Sequence, residues 1–210
     1  MKLAMRKGIS RRDFVGTVFA LLGAAPLVAA QGLSQHLHRL LPFASQEPTS
    51  AGGPENPPWK IVMVSANEPG EPLIVSGTIY AADGRTPVEG ARLYVYQTDA
   101  PGYYAPGRPG GNVPPRLRGW MKTGRDGRYE VRTVKPGSYP NSRNPSHIHS
   151  SVSAPGYPER WINDFHFEGD PYLDPREVAS NAGKGTFASI MKIERGADGV
   201  LRCRRDIKLS

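Results

Sequence analysis

The chain has 210 residues, among them 24 Gly, 21 Pro and a single Cys, and a formal charge of +8. The glycines and prolines are dispersed without a period, which excludes collagen-like and low-complexity chains and suits many short strands joined by turns. The charge makes no case for nucleic acid: Lys2, Arg6, Lys7, Arg11 and Arg12 against Asp13 put +4 on the first 30 residues, and no DNA- or RNA-binding pattern accompanies the remaining +4.

Residues 1–30 read as a targeting segment. A basic stretch ends in Ser10-Arg11-Arg12-Asp13-Phe14, an apolar run follows from Val15 to Ala30, and small residues close it at Ala29-Ala30. The paired arginines resemble a twin-arginine export signal, with an ordinary secretory signal as the alternative. Gly16, Gly23 and Pro26 interrupt the run, which argues against a stable membrane span after processing. The expected destination is the periplasm or the exterior. Residues 31–58 read as a tether: a short amphipathic helix through Leu33, Leu37, Leu40 and Leu41, then a Pro/Gly/Ser/Glu-rich linker over 45–58. His36 and His38 precede that linker and are not enlisted as ligands.

The folded domain is expected over 59–210. Lys60–Ser65 and Leu73–Ala81 read as strands, the second ending in a turn at Asp83-Gly84. Ala91–Thr98 alternates, with Leu93, Val95 and Gln97 on one face and Tyr94 and Tyr96 on the other. A long Gly/Pro loop over 99–115 carries Tyr103 and Tyr104. Gly119–Thr123 and Arg128–Val134 flank a second turn at Asp126-Gly127. His147–Ala154 and Trp161–Glu168 follow, joined around Pro155-Gly156. The stretch from Asp170 to Lys184 reads as irregular. Phe187–Glu194 and Leu201–Leu209 close the domain around Asp198-Gly199. About eight or nine short strands without a long helix predict an all-β chain, most simply a two-sheet antiparallel β-sandwich with long loops. One cysteine allows no internal disulfide, and Cys203, in phase with Leu201, reads as a buried strand thiol.

The stretch with chemistry is Tyr139 through His149. On a strand, His147 and His149 leave the same face and Ile148 the other, so two imidazoles converge as half of a metal site. The Pro136-Gly137 turn offers Tyr139 and the long loop offers Tyr104. Two phenols with two imidazoles favour a hard, high-valent ion, and Fe(III) is the natural choice.

Here the sequence resembles the intradiol ring-cleavage dioxygenases, the family of the protocatechuate and catechol dioxygenases. The resemblance rests on Gly77-Thr78-Ile79, Pro87-Val88-Glu89-Gly90-Ala91, Gln97 to Tyr104, Thr123 to Tyr129, Lys135-Pro136-Gly137-Ser138-Tyr139-Pro140, Pro145-Ser146-His147-Ile148-His149 and Phe167-Glu168-Gly169-Asp170-Pro171. These pieces run in the family's order over about half of the chain. The resemblance implies one non-haem Fe(III) per chain, held by Tyr104, Tyr139, His147 and His149. It implies Tyr139 as the ligand that substrate displaces, and an arginine that supports charge developing on the substrate, a role for which Arg143, one residue before the family's position, is the substitute through a shifted loop. The implied reaction cleaves a catechol with O2 to a muconate-type diacid. The sequence departs from the pattern at Asn144, where an arginine directly before the Pro is usual, and at Asp164, where Gln is usual. It also lacks the N-terminal helical region of the larger members, and so looks like the small exported branch, with homo-oligomers left open.

Other readings stand beside this one. The pieces around Gly77, Pro87, Gly127 and Pro136-Gly137 also resemble transthyretin-like and carboxypeptidase-regulatory sandwiches, which are binding modules. A metal-binding relative without turnover is a third reading. Tyr103 competes with Tyr104 for the ligand position. His166 reads as a structural histidine, Tyr94, Tyr96, Tyr129 and Tyr157 as packing aromatics, and Arg108, Arg116 and Arg118 as loop charge or partners for a substrate carboxylate.

Overall fold

The computed structural model describes residues 52–106 and 114–210. The targeting segment, the helix expected around Leu33–Leu41, His36, His38 and Arg108 lie outside the described residues. The described chain makes contacts upstream of Trp59: the Arg92 guanidinium donates to the carbonyls of Pro54 and Glu55 at 3.0 and 2.7 Å.

Among the described residues, eleven strands form two sheets. They are β1 (Lys60–Val62), β2 (Pro72–Tyr80), β3 (Arg92–Gln97), β4 (Leu117–Lys122), β5 (Arg128–Val134), β6 (His147–Ala154), β7 (Tyr157–Phe167), β8 (Ile190–Met191), β9 (Glu194–Arg195), β10 (Leu201–Arg204) and β11 (Ile207–Lys208). One sheet runs β1-β5-β2-β10-β9 with β11 also on β2, and the other runs β4-β3-β6-β7-β8. Each sheet turns an apolar face inward. Leu73, Val75, Ile79, Tyr129 and Val131 from the first meet Leu93, Val95, Ile148, Val152, Phe165 and Phe167 from the second. All are nearly inaccessible to solvent, and each large apolar side chain so buried contributes about 1.5–3 kcal/mol. The expected all-β sandwich is present, and the turns at Gly84, Gly127, Gly156 and Gly199 all place glycine at positive φ.

Four details differ from the sequence reading. The sheets are mixed rather than wholly antiparallel, because β1 runs parallel to β5, β10 and β11 to β2, and β8 to β7. The strand expected over Leu201–Leu209 is broken at Arg205-Asp206, where the Arg205 amide donates to the Ser76 carbonyl and Asp206 accepts from the Thr78 amide at 2.8 Å. The region read as irregular holds a short helix, α1 (Pro175–Asn181), capped by Asp174 accepting from the Arg176 amide, with proline in the first turn. A 3₁₀ turn at Gly185–Phe187 replaces the start of the strand expected from Phe187.

β3 is buried on both faces. Leu93 and Val95 enter the core, while Tyr94 and Tyr96, at 2% and 3% exposure, lie in an aromatic cluster on the outer face. Tyr94 stacks on Trp120 at 4.9 Å, and Trp161 meets both tyrosines edge-on.

Cys203 faces the interior of β10, and burial pushes its thiol up to about 12. At pH 8 roughly one thiol in ten thousand is then ionised. Iodoacetamide is expected to leave the native protein unmodified at pH 8 and to label it rapidly in denaturant. Fast labelling of the native chain, read by mass spectrometry, would contradict this burial.

Candidate metal centre

The site is built where the ends of two strands from opposite sheets are tied together. Gln97, the last residue of β3, is fully buried, and its Nε2 donates to the carbonyl of Val134, the last residue of β5, at 2.8 Å. Two loops leave from that junction, one carrying Tyr104 and the other Tyr139. They stay in contact as they diverge: Thr98 Oγ1 donates to the Gly137 carbonyl at 2.7 Å, and the Gly137 amide donates to the Asp99 carbonyl at 2.9 Å. Asp99 also accepts the Tyr103 amide on Oδ1 at 2.8 Å, which shapes the turn before Tyr104.

On β6, alternation sends Ile148 into the core and presents His147 and His149 together on the outer face. Four donor atoms meet there. Tyr139 Oη lies 3.1 Å from Nε2 of His147 and 3.1 Å from Nε2 of His149. The two Nε2 atoms are 2.9 Å apart, and Tyr104 Oη is 3.0 Å from His149 Nε2. The two phenol oxygens are in direct hydrogen-bond contact. The phenol that reaches the histidines is therefore that of Tyr104, not Tyr103.

The outer nitrogens fix what the inner ones offer. His147 Nδ1 lies 2.7 Å from the Pro145 carbonyl, and His149 Nδ1 lies 2.8 Å from Asp164 Oδ1. A carbonyl and a carboxylate only accept, so each Nδ1 carries the proton. In the neutral imidazoles both Nε2 atoms then point lone pairs at the same place. Burial, followed by the neighbouring His149, lowers the His147 pKa and favours that neutral form. Two facing lone pairs at 2.9 Å repel unless a cation sits between them. Donor separations of 2.9–3.1 Å match neighbouring ligands on an ion with bonds of about 2.0–2.1 Å. Burial, then the Tyr139 hydroxyl, pushes the Tyr104 phenol well above its ordinary range, and a bound cation is the agent that reverses such a shift. The residues fit a metal ion.

His147, His149 and Asp164 together have the composition of a two-His, one-carboxylate triad. The geometry rejects that arrangement here. Asp164 bonds Nδ1 of His149, on the far side of the ring from Nε2, so it orients a ligand rather than serving as one. A β-bulge places it there. Ile148 pairs with Phe165 and Ser150 with Ile162, so His149 alone faces both Asn163 and Asp164. Burial works against the Asp164 charge, but the hydrogen bond from His149 and the nearby imidazoles together hold its pKa below the ordinary value.

Other neighbours brace the ring pair. Tyr96 stacks on His149 at 4.5 Å, so this packing aromatic supports the site itself. His166 lies edge-on to His147 at 5.9 Å, with its Nδ1 2.6 Å from Glu177 of α1. It is a structural histidine outside the four donors. Arg143 is exposed on the loop between Tyr139 and His147. Arg116 is paired with Glu68 through two bonds of 2.7 Å, and Arg118 lies 6.0 Å from the Trp120 ring centre. The supports that the sequence reading missed are Asp164 as the His149 partner, Tyr96 and Glu177. All three become visible only once strand pairing and α1 are known.

A family model described as dioxygenase matches residues 51–210. The chain belongs to the intradiol dioxygenase family. The 6-chlorohydroxyquinol 1,2-dioxygenase of Cupriavidus pinatubonensis is 34% identical over 158 residues, covering 67% of this chain and 54% of that protein. The chain spans about half the length of the curated relatives it matches. Among solved structures, the dioxygenase domain of a carbohydrate-binding fusion from Streptomyces sp. SirexAA-E is 27% identical with a TM-score of 0.54. That match covers 79% of this chain and 97% of the domain. An intradiol ring-cleavage dioxygenase from Tetranychus urticae shares the fold at a TM-score of 0.55 and 21% identity, with 79% of this chain and 92% of that chain covered. Membership in this family disfavours the reading as a transthyretin-like binding module.

Proposed function

We propose that this protein is a non-haem Fe(III) intradiol dioxygenase that opens the ring of a catechol-type aromatic with O2 to give a muconate-type diacid. The observation that carries the reading is the meeting of two phenol oxygens and two imidazole lone pairs at one point. Relatives named for catechol, hydroxyquinol and chlorocatechol support the substrate class. Tyr104, Tyr139, His147 and His149 would hold the iron, which when bound supplies Lewis acidity and a template for the aromatic diol.

The chain's own residues supply the rest. His147 and His149 are locked in one tautomer by Pro145 and Asp164, so they hold their positions through turnover. Tyr139 is the ligand suited to leave. Its loop turns at once through Asn141, at φ 60, with the Ser142 amide donating to the Tyr139 carbonyl. Tyr139 Oη, once displaced, would accept one of the two diol protons, and hydroxide the other. Arg143, on the same loop, is assigned to the charge that develops on the ring. Asp164 stands where a carboxylate is ill suited to an anionic substrate, but its charge is committed to the His149 N–H.

The test is a visible spectrum and iron count of the purified chain, before and after catechol without O2, followed by oxygen uptake. The expected result is a red-brown protein with about one iron, a band that shifts on adding catechol, and uptake yielding the diacid. A protein that stays colourless after ferric reconstitution refutes the reading. Colour and a shift without uptake retain the metal centre and refute turnover.

A further inference from the structure

A cleft of about 590 Å³ opens between β7 and β11, and none of the four metal-site donors lines it. Its lining includes Trp161, Phe187, Lys184, Lys208, Arg205 and Asp206. We propose that this cleft binds a small aromatic carboxylate.

The lining is rich in positive charge, with Arg160, Lys184, Arg205 and Lys208 against Asp206. No ion pair among the described residues engages Lys184, Lys208 or Arg205. The acidic member, Asp206, is already committed: Oδ1 accepts from the Thr78 amide at 2.8 Å and from Arg204 at 2.9 Å.

Arg205 is the decisive group. Only 6% of it is exposed. Its backbone is fixed at both ends, the amide on the Ser76 carbonyl and the carbonyl on the Tyr129 hydroxyl at 2.6 Å. Its guanidinium lies 4.1 Å from the Phe165 ring centre, and Nη1 donates to the Asn163 carbonyl at 2.8 Å. Nε is buried without a hydrogen-bond partner among the described residues. Burial lowers this guanidinium to about 10, so it remains charged at neutral pH. Arg205 is nevertheless among the residues that line the cleft, where its guanidinium charge attracts a ligand carboxylate.

The walls select the rest of the ligand. Trp161 and Phe187 are among the few large apolar side chains left exposed, at 42% and 36%. Both line this cleft beside the cations. A flat apolar body covers them, whereas a bare inorganic anion leaves them in water. The inference does not depend on iron or on turnover.

Benzoate is the probe, titrated into the full chain by calorimetry and by tryptophan fluorescence. To keep the probe off the metal centre, the same titration is run on the His149→Ala chain. Saturable binding is expected in both chains, weakening as salt rises. The double variant Lys184→Ala/Lys208→Ala, which changes only exposed positions, is expected to bind about tenfold more weakly. Benzyl alcohol, which lacks the charge, is expected not to bind. The proposal is overturned if the double variant binds as wild type, if benzyl alcohol binds as well as benzoate, or if His149→Ala abolishes binding. Displacement of benzoate by an equal concentration of inorganic phosphate also overturns it, by showing a bare anion site.

Discussion

Replacing His149 with alanine is expected to leave a folded chain that no longer retains iron. The core side of β6 is made by Ile148, Ser150 and Val152, none of which the substitution touches. The structural losses are the stack on Tyr96 at 4.5 Å, about 0.5–1.5 kcal/mol for a ring pair of this kind, and the hydrogen bond to Asp164, whose half-buried carboxylate then turns to water. The chemical loss is larger, because one of two inward-facing lone pairs disappears. Asp164 variants should fall between wild type and His149→Ala. Asp164→Asn keeps an oxygen that accepts from His149 Nδ1 and loses only the charge. Asp164→Ala frees the ring to turn, and loss of such a partner typically weakens metal binding about 10–100-fold. Iron retained per chain against a graded chelator measures the order, with circular dichroism confirming the fold. Stoichiometric iron in His149→Ala refutes the site. If Asp164→Ala loses iron as completely as His149→Ala, the carboxylate is itself a ligand.

This graded series separates what the sequence showed from what it hid. The pairing of His147 with His149 was legible, because a period of two is all that a strand needs to bring them to one face. Tyr104 and Tyr139 are 35 positions apart, and no local pattern says that their loops meet. Their place came from the resemblance, and the Gln97 bond to Val134 is the physical reason it holds. Asp164 stood out only as a departure from the family pattern. Its role depends on a bulge, and a bulge is a property of two strands in register rather than of either sequence. The parallel partners of β2 were hidden for the same reason, since Cys203 pairs with Val75 across most of the domain. The helix α1 did leave a local trace in Asp174-Pro175, a cap followed by a first-turn proline. Seven residues were too few for an apolar period to show beside it.

Replacing Gly102 with alanine is expected to damage the metal centre without altering any donor. Gly102 has φ +94, a conformation that alanine adopts only under strain. A Cβ there would stand 2.0 Å from the Ser138 carbonyl oxygen and 3.2 Å from Pro140 Cδ. Those atoms flank Tyr139, so relief of the overlap moves the second tyrosine loop away from the first. Gly137 repeats the constraint from the other side, with its virtual Cβ 2.2 Å from the Ala100 carbonyl oxygen. The two loops approach this closely because neither glycine has a side chain. Gly156→Ala isolates the backbone part of the effect, since Gly156 has φ +79 and nothing within 4 Å of its virtual Cβ. That control should lose about 1–3 kcal/mol from the unfavourable φ alone. Gly102→Ala should lose more, with a melting temperature lower by several degrees than the control's, at about 2–4 °C per kcal/mol for a domain of this size. It should also retain less iron and a weaker visible band, whereas Gly156→Ala keeps both. Equal melting of the two variants, with the band intact in each, would show that the loops do not depend on this contact to bring Tyr104 and Tyr139 together.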